Sequence, residues 1–282
     1  MNFKQLELYF ISELSSLYGE EEAKQLFYLV VEHVCGWNRG KLLTCSTESP
    51  DPGQMTAYES ILVGLRQGRP VQHILAEAWF YGLKFKVSGA VLIPRPETEE
   101  LIEWILETVN QTEDQVSSIL DIGTGSGCIA ITLKKNLENL AVTALDVSAD
   151  ALQIARENAM NNEVALNFIQ TDILTYSSPI KYDLIVSNPP YITETERAEM
   201  HQNVLQFEPH LALFVSNENP LVFYKGIADF ALLNLQPKGK LFFEINEYLG
   251  QETVDMLKDK GFINIVLKKD MQGKDRMISC TL

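Results

Sequence analysis

The chain has 282 residues, enough for one ordinary domain and a smaller companion, and 46% of them are apolar, which excludes a disordered chain. A net charge of −15 excludes broad attachment to nucleic-acid phosphates or anionic membranes, because affinity for polyanions comes from clustered Lys and Arg. The first residues intersperse Lys4, Glu7, Glu13 and Glu20 among apolar ones, and no run reaches the roughly 18 apolar residues of a membrane span, so a soluble cytoplasmic protein is expected.

From residue 3 to about 67 apolar side chains recur at helical spacing: Phe3, Leu6, Phe10 and Leu14, then Leu26, Phe27, Val30, Val31 and Val34, then Tyr58, Ile61, Leu62 and Leu65. This predicts a helical bundle over residues 1–70, closed by Gly68-Arg69-Pro70. A stabilising cap and a partner-docking domain fit it equally. Residues 71–96 contain Trp79, Tyr81, Leu83, Phe85 and Val87 on alternate positions, with turn sites at Gly82, Ser88 and Gly89, which predicts a β-hairpin linker. After Pro94-Arg95-Pro96 a helix is expected near Thr98, with Leu101, Ile102 and Ile105 on its buried side.

Within residues 97–282 short apolar strands alternate with helices: Ser118 to Ile122, Ala141 to Asp146, Leu166 to Gln170, Asp183 to Ser187, Lys240 to Ile245, Ile263 to Leu267 and Met277 to Thr281. The fold class is therefore α/β, a seven-stranded doubly wound sheet. The connection through Gln272-Gly273 is too short for a crossover helix, so the last strand is expected to be antiparallel.

The first of these strands runs into the turn Gly123-Thr124-Gly125-Ser126-Gly127, and the second ends at Asp146, 23 residues past Gly123. Glycines let a ligand approach the backbone, a helix start adds free N–H groups, and the carboxylate accepts from both hydroxyls of a ribose. A nucleoside-containing cofactor is expected, with Asp146 as a mere helix cap the competing reading. No Lys-Ser or Lys-Thr follows the glycines, which disfavours a triphosphate P-loop. After the third strand, Asp172 is placed to meet an exocyclic amine and Ile173 to lie against a flat base; the competing reading is that either residue simply ends the strand.

Asp183 to Ser187 delivers Asn188-Pro189-Pro190-Tyr191 to the carboxyl edge of the sheet, where open α/β folds bind ligands. The Asn188 side-chain oxygen and the Pro189 carbonyl can accept the two hydrogens of a planar NH₂ and aim its lone pair at a methyl donor; both bonds strengthen as positive charge develops. Tyr191 offers a flat face for stacking. A proline-stiffened loop capped by Asn188 is the competing structural reading. Cys35, Cys45, Cys128 and Cys280, like His33, His73, His201 and His210, show no metal-ligand or triad spacing, so reduced thiols and no metal are expected.

With these motifs in view the chain resembles the HemK/PrmC family of release factor glutamine methyltransferases over essentially its full length. The resemblance rests on the helical N-terminal part, Gln72-His73-Ile74 through Trp79 and Phe80, Leu92-Ile93-Pro94-Arg95-Pro96-Glu97-Thr98-Glu99, the glycine turn, Asn188 to Tyr191, and Gly273-Lys274-Asp275-Arg276. It implies a Rossmann-like methyltransferase domain, S-adenosyl-L-methionine as cofactor, and class I peptide chain release factors as partners, methylated on the glutamine of a Gly-Gly-Gln loop. By position, Gly123 to Gly127, Asp146, Asp172, Ile173 and Asn188 would hold the cofactor, and Asn188, Pro189, Pro190 and Tyr191 would act on the glutamine. Ile173 departs from the pattern, since relatives often carry an aromatic residue there. Arg95 and Glu97 are expected to shape the cofactor pocket or to anchor the linker.

Two rival functions remain. Asn-Pro-Pro-Tyr is shared with nucleic-acid adenine methyltransferases, against which the missing basic stripe argues, and a non-catalytic scaffold is suggested by Ile173 alone. Direct nucleic-acid or membrane contact is not expected; the oligomeric state is open, with a monomer favoured.

Overall fold

A computed structural model describes residues 1–112, 115–200 and 202–282, and the chain divides into two compact units. The smaller unit contains Met1–Glu77, a stretch that builds five helices: α1 (Phe3–Tyr18), α2 (Glu20–Cys35), α3 (Arg39–Thr44), α4 (Pro52–Arg66) and α5 (Val71–Leu75). Their starts follow from capping chemistry. Asn2 and Gln5 cap α1 reciprocally, and Asp51 and Gln54 do the same for α4, where Pro52 supplies a preset φ at a position needing no N–H. The apolar stripe closes around Phe10, Phe27 and Tyr58, all fully buried. Helix α4 ends at Arg66, just before Gly68-Arg69-Pro70, and the short α5 starts afresh at Val71, with Pro70 at its N-cap where a missing N–H costs no helical hydrogen bond.

The larger unit contains Ala78–Met200 and Glu208–Leu282. It begins with a hairpin of β1 (Glu77–Phe80) and β2 (Leu83–Lys86). Tyr81 and Gly82 both have positive φ, 49° and 73°, the conformation of a two-residue turn whose twist matches the strands. Then follow α6 (Pro96–Gln111), β3 (Ser118–Ile122), α7 (Cys128–Asn136), β4 (Ala141–Asp146), α8 (Ala149–Asn161), β5 (Asn167–Gln170), β6 (Tyr182–Ser187) and the short β7 (Ile192–Thr193). Helix α9 (Gln202–Phe207) groups with the smaller unit. The remainder is β8 (Phe214–Val215), α10 (Val222–Asn234), β9 (Leu235–Glu244), α11 (Gly250–Asp259), β10 (Ile263–Lys269) and β11 (Asp275–Thr281).

The main sheet has seven strands in the order β10-β11-β9-β6-β3-β4-β5. Strands β9, β6, β3, β4 and β5 are parallel, and β11 enters antiparallel between β9 and β10. The doubly wound sheet with its antiparallel last strand is thus as the sequence reads. The insertion of β11 inside the order, leaving β10 at the edge, is additional. Strand β9 starts at Leu235, earlier than its apolar run suggests. One apolar layer gathers Leu120, Ile185, Tyr224 and Phe243, the other Ile119, Leu184, Phe242 and Met277. Each such fully buried side chain contributes roughly 1.5–3 kcal/mol over exposure. Among the described residues no helix is long and apolar enough to cross a membrane.

Candidate active site

Sheet register gathers the predicted residues. Ile122 pairs with Leu145 on one side and Ser187 on the other, so Gly123, Asp146 and Asn188 leave three adjacent strands together at the carboxyl edge. Gln170 pairs with Asp146, which brings Thr171, Asp172 and Ile173 just beyond. The Ser187 hydroxyl donates to the Ile122 carbonyl at 2.7 Å and ties the two central strand ends together. Around this edge lies a cavity of about 280 Å³.

Gly123, Thr124, Gly125, Ser126, Asp146, Asp172, Ile173, Asn188, Pro189 and Pro190 line the cavity; Gly127 and Tyr191 do not. At Gly123 and Gly125, with φ of +74° and +54°, an added Cβ would meet nothing within 4 Å, so these backbones face open space. Gly127 serves packing instead, for a Cβ there would lie 2.9 Å from Ile131 Cδ1 and 3.2 Å from Ala155 Cβ. Asp146 accepts one backbone N–H on each oxygen, from Gly125 at 2.8 Å and Ser148 at 2.9 Å. Each oxygen keeps capacity for a further donor, such as a ribose hydroxyl. Burial pushes the Asp146 carboxyl up, opposed by those N–H groups. The open glycine backbone, the half-satisfied carboxylate and the apolar wall formed with Ile173 fit an adenosine-bearing cofactor.

Among the described residues Phe223, from α10, is the one aromatic side chain in the lining. The sequence alone does not point to it, because it lies far past Ile173 in a helix that carries no motif. It offers a ring on a wall where Ile173 offers none. Arg95 lines the cavity and donates to Glu208 Oε1 at 2.6 Å, while the backbone N–H of Ile93 donates to Glu208 Oε2 at 3.2 Å. Glu97 faces elsewhere and accepts from Gln272 Nε2 at 3.2 Å.

Asn188 Nδ2 donates to Thr98 Oγ1 at 3.3 Å. Among the described residues nothing donates to Asn188 Oδ1 or to the Pro189 carbonyl, so two acceptors remain unused at the lining. Behind them is a buried polar cluster that sequence reasoning missed. Thr98 donates to Glu244 Oε2 at 2.6 Å, Tyr191 donates to Glu244 Oε1 at 3.1 Å, and Arg276 adds its charge beside both. Burial pushes the Glu244 carboxyl up, against the Thr98 hydroxyl, Arg276 and the Tyr191 hydroxyl. Asn246 Nδ2 donates to the Tyr191 carbonyl at 2.9 Å and pins the loop that follows.

Below the glycine turn, Asp121 is fully buried; its Oδ2 accepts from the Thr124 hydroxyl at 2.6 Å and the Ala130 N–H at 3.2 Å, and its Oδ1 has no partner. Burial pushes this carboxyl up to about 7. The four cysteines are free, and burial pushes the Cys128 thiol up to about 12. His33 pairs with Glu77 at 3.1 Å and His210 packs on Phe214, whereas His201 lies outside the described residues.

Residues 8–75 match the PrmC N-terminal domain and residues 102–210 the Methyltransferase small domain. The chain is 46% identical to the release factor glutamine methyltransferase of Flavobacterium psychrophilum, over 99% of this chain and 98% of that one. The chain belongs to the release factor glutamine methyltransferase family. A second member, from Bacteroides thetaiotaomicron, is 41% identical over 96% of this chain and 97% of its own. The fold is shared more widely: a methyltransferase from Pyrococcus furiosus superposes with a TM-score of 0.53 at 17% identity, covering 77% of this chain and 98% of that one.

Proposed function

We propose that this chain transfers a methyl group from S-adenosyl-L-methionine to the side-chain amide nitrogen of the glutamine in the Gly-Gly-Gln loop of class I peptide chain release factors. The observation that carries the reading is the pair of unused acceptors, Asn188 Oδ1 and the Pro189 carbonyl, on the wall of a cavity whose floor is open glycine backbone. When bound, the cofactor supplies an electrophilic methyl on a sulfonium.

The chain's own residues do the rest. The Asp146 carboxylate takes the ribose hydroxyls, and Gly123, Thr124, Gly125 and Ser126 admit the cofactor against the backbone. Gly127 starts the following helix, Asp172 receives the adenine amine, and Ile173 with Phe223 flanks the base. An amide nitrogen is a poor nucleophile because its lone pair is delocalised. Asn188 Oδ1 and the Pro189 carbonyl each accept one of its hydrogens, hold the lone pair toward the methyl, and gain strength as the nitrogen becomes positive. Pro190 stiffens the turn, and Tyr191 supports it from behind through Glu244. In this reading residues 1–70 dock the release factor, residues 71–96 are the linker and residues 97–282 carry the chemistry. The chain works as a cytoplasmic monomer without direct nucleic-acid or membrane contact, in keeping with its net charge of −15.

The test is incubation with labelled cofactor and either a class I release factor or duplex DNA, followed by mass spectrometry. One added methyl on the single Gly-Gly-Gln glutamine is expected. Label in DNA alone would falsify the reading.

A further inference from the structure

A side-chain amide fits its site either way round, and only one orientation of Asn188 offers oxygen to a substrate NH₂; the other offers a second NH₂ and repels it. We infer that Thr98 and Glu244 form a one-way hydrogen-bond relay that fixes the Asn188 amide with its nitrogen inward and its oxygen free for substrate, making both of them positioning residues for methyl transfer. This rests on the reading of Asn188 as an acceptor for the target amide.

The direction of the relay follows from counting protons. Arg276 has donors only, and it faces the Tyr191 hydroxyl, whose own proton therefore goes to Glu244 Oε1, 3.1 Å away. Burial raises the Glu244 carboxyl, but two hydroxyls converge on its two oxygens and the same guanidinium stands beside it, and all three favour the carboxylate form. With Glu244 an acceptor on both oxygens, the only proton of the Thr98 hydroxyl is committed to Oε2 at 2.6 Å, a short charge-assisted bond. The Thr98 oxygen can then only accept, and its remaining neighbour is Asn188 Nδ2 at 3.3 Å. A flipped Asn188 would set its carbonyl oxygen against a hydroxyl oxygen with no proton to give. Thr98 is 2% exposed and Glu244 1%, so solvent does not supply the missing donor.

The local fold delivers both residues. Thr98 is the third residue of α6, on the same stripe as the buried Leu101, Ile102 and Ile105. Glu244 ends β9 after three fully buried apolar residues and pairs with Met277 of β11.

The experiment compares Thr98→Val, Thr98→Ser and Asn188→Ala in the full chain, measuring kcat and KM on a class I release factor, cofactor Kd by calorimetry and thermal melting. Thr98→Val keeps the shape and removes the relay, so kcat falls roughly tenfold, with KM and cofactor Kd within about twofold. Thr98→Ser restores the hydroxyl and returns at least half of the wild-type kcat, which a steric role for the threonine methyl would not allow. Wild-type kcat in Thr98→Val, or equal damage in the serine variant, overturns the relay while Asn188→Ala remains inactive. Full activity in Asn188→Ala, or no methylation by the wild type, overturns the underlying acceptor reading instead. Should Thr98→Val melt below the assay temperature, the smaller Thr98→Ala carries the same comparison.

Discussion

Asp121→Asn gives a stability change whose size depends on pH in a calculable way. The wild-type carboxyl rises from an ordinary 3.8 to about 7 because it is sealed under the glycine turn, with one oxygen unpartnered. A raised carboxyl pKa means that the folded state binds the proton more tightly than the unfolded chain. Its contribution is full below pH 3.8 and is lost as pH rises through about 7. Between pH 5 and pH 8 the linkage relation gives a loss of about 2.5 kcal/mol from this group alone. Asparagine keeps an oxygen for Thr124 and Ala130 but does not titrate. The absolute stability of the variant depends on how its NH₂ is accommodated, so the informative quantity is the difference between the two proteins. In urea melts of the cofactor-free chains at pH 5, 6, 7 and 8, the wild type should lose about 2.5 kcal/mol relative to Asp121→Asn across the series. Glu244, also raised by burial, is common to both proteins and cancels; Asp146 cancels apart from its repulsion of Asp121, which is already part of the Asp121 shift. A difference flat to within about 0.5 kcal/mol would mean that Asp121 is not a buried titrating group.

Asn188→Ala is expected to lower kcat at least about a hundredfold, as loss of one transition-state hydrogen bond does, with little change in cofactor affinity; steady-state kinetics and calorimetry separate the two effects. Asp146→Ala removes the charged acceptor for the ribose and should weaken cofactor binding by roughly 1.5–3 kcal/mol, read by titration calorimetry; unchanged affinity would place the ribose elsewhere. Gly125→Ala and Gly127→Ala should fail differently. The first puts a methyl into open space at the cavity and weakens cofactor binding, whereas the second collides with Ile131 and Ala155 and lowers the thermal midpoint by several degrees. Glu208→Gln weakens the tie to Arg95 and Ile93, costing roughly 1–2 kcal/mol in a urea melt because Arg95 stays partly solvated.

The sheet was legible because buried parallel strands are short apolar runs spaced by helices, and the strand ends carried the residues that matter. The antiparallel β11 followed from a connection too short to cross over. Its place between β9 and β10 did not, since strand order is set by pairing between distant segments. Gly123, Gly125, Asp146 and Asn188 were readable as motif residues. Gly127, read with them, serves the start of α7 rather than the cavity wall. Thr98 and Glu244 left a fainter trace. Each is a polar residue inside an apolar pattern, Thr98 on the stripe of Leu101, Ile102 and Ile105, and Glu244 between Phe243 and Ile245. A polar side chain at a core position needs a partner, which is the signal that could have found both. Phe223 and Glu208 gave none, because their roles come from a helix and a loop brought to the cavity only in three dimensions.

The placement of β11 also bears on how the protein is made. Edge strand β10 joins the sheet only through β11, and Arg276 reaches Glu244 only once β11 is in place. On the ribosome, then, every other strand of the sheet has been synthesised before the residues that seat β10 and balance the buried carboxylate emerge. The nascent chain holds an open sheet margin and an unneutralised Glu244 until Asp275–Thr281 have emerged and paired, so the sheet is completed in one late step rather than strand by strand.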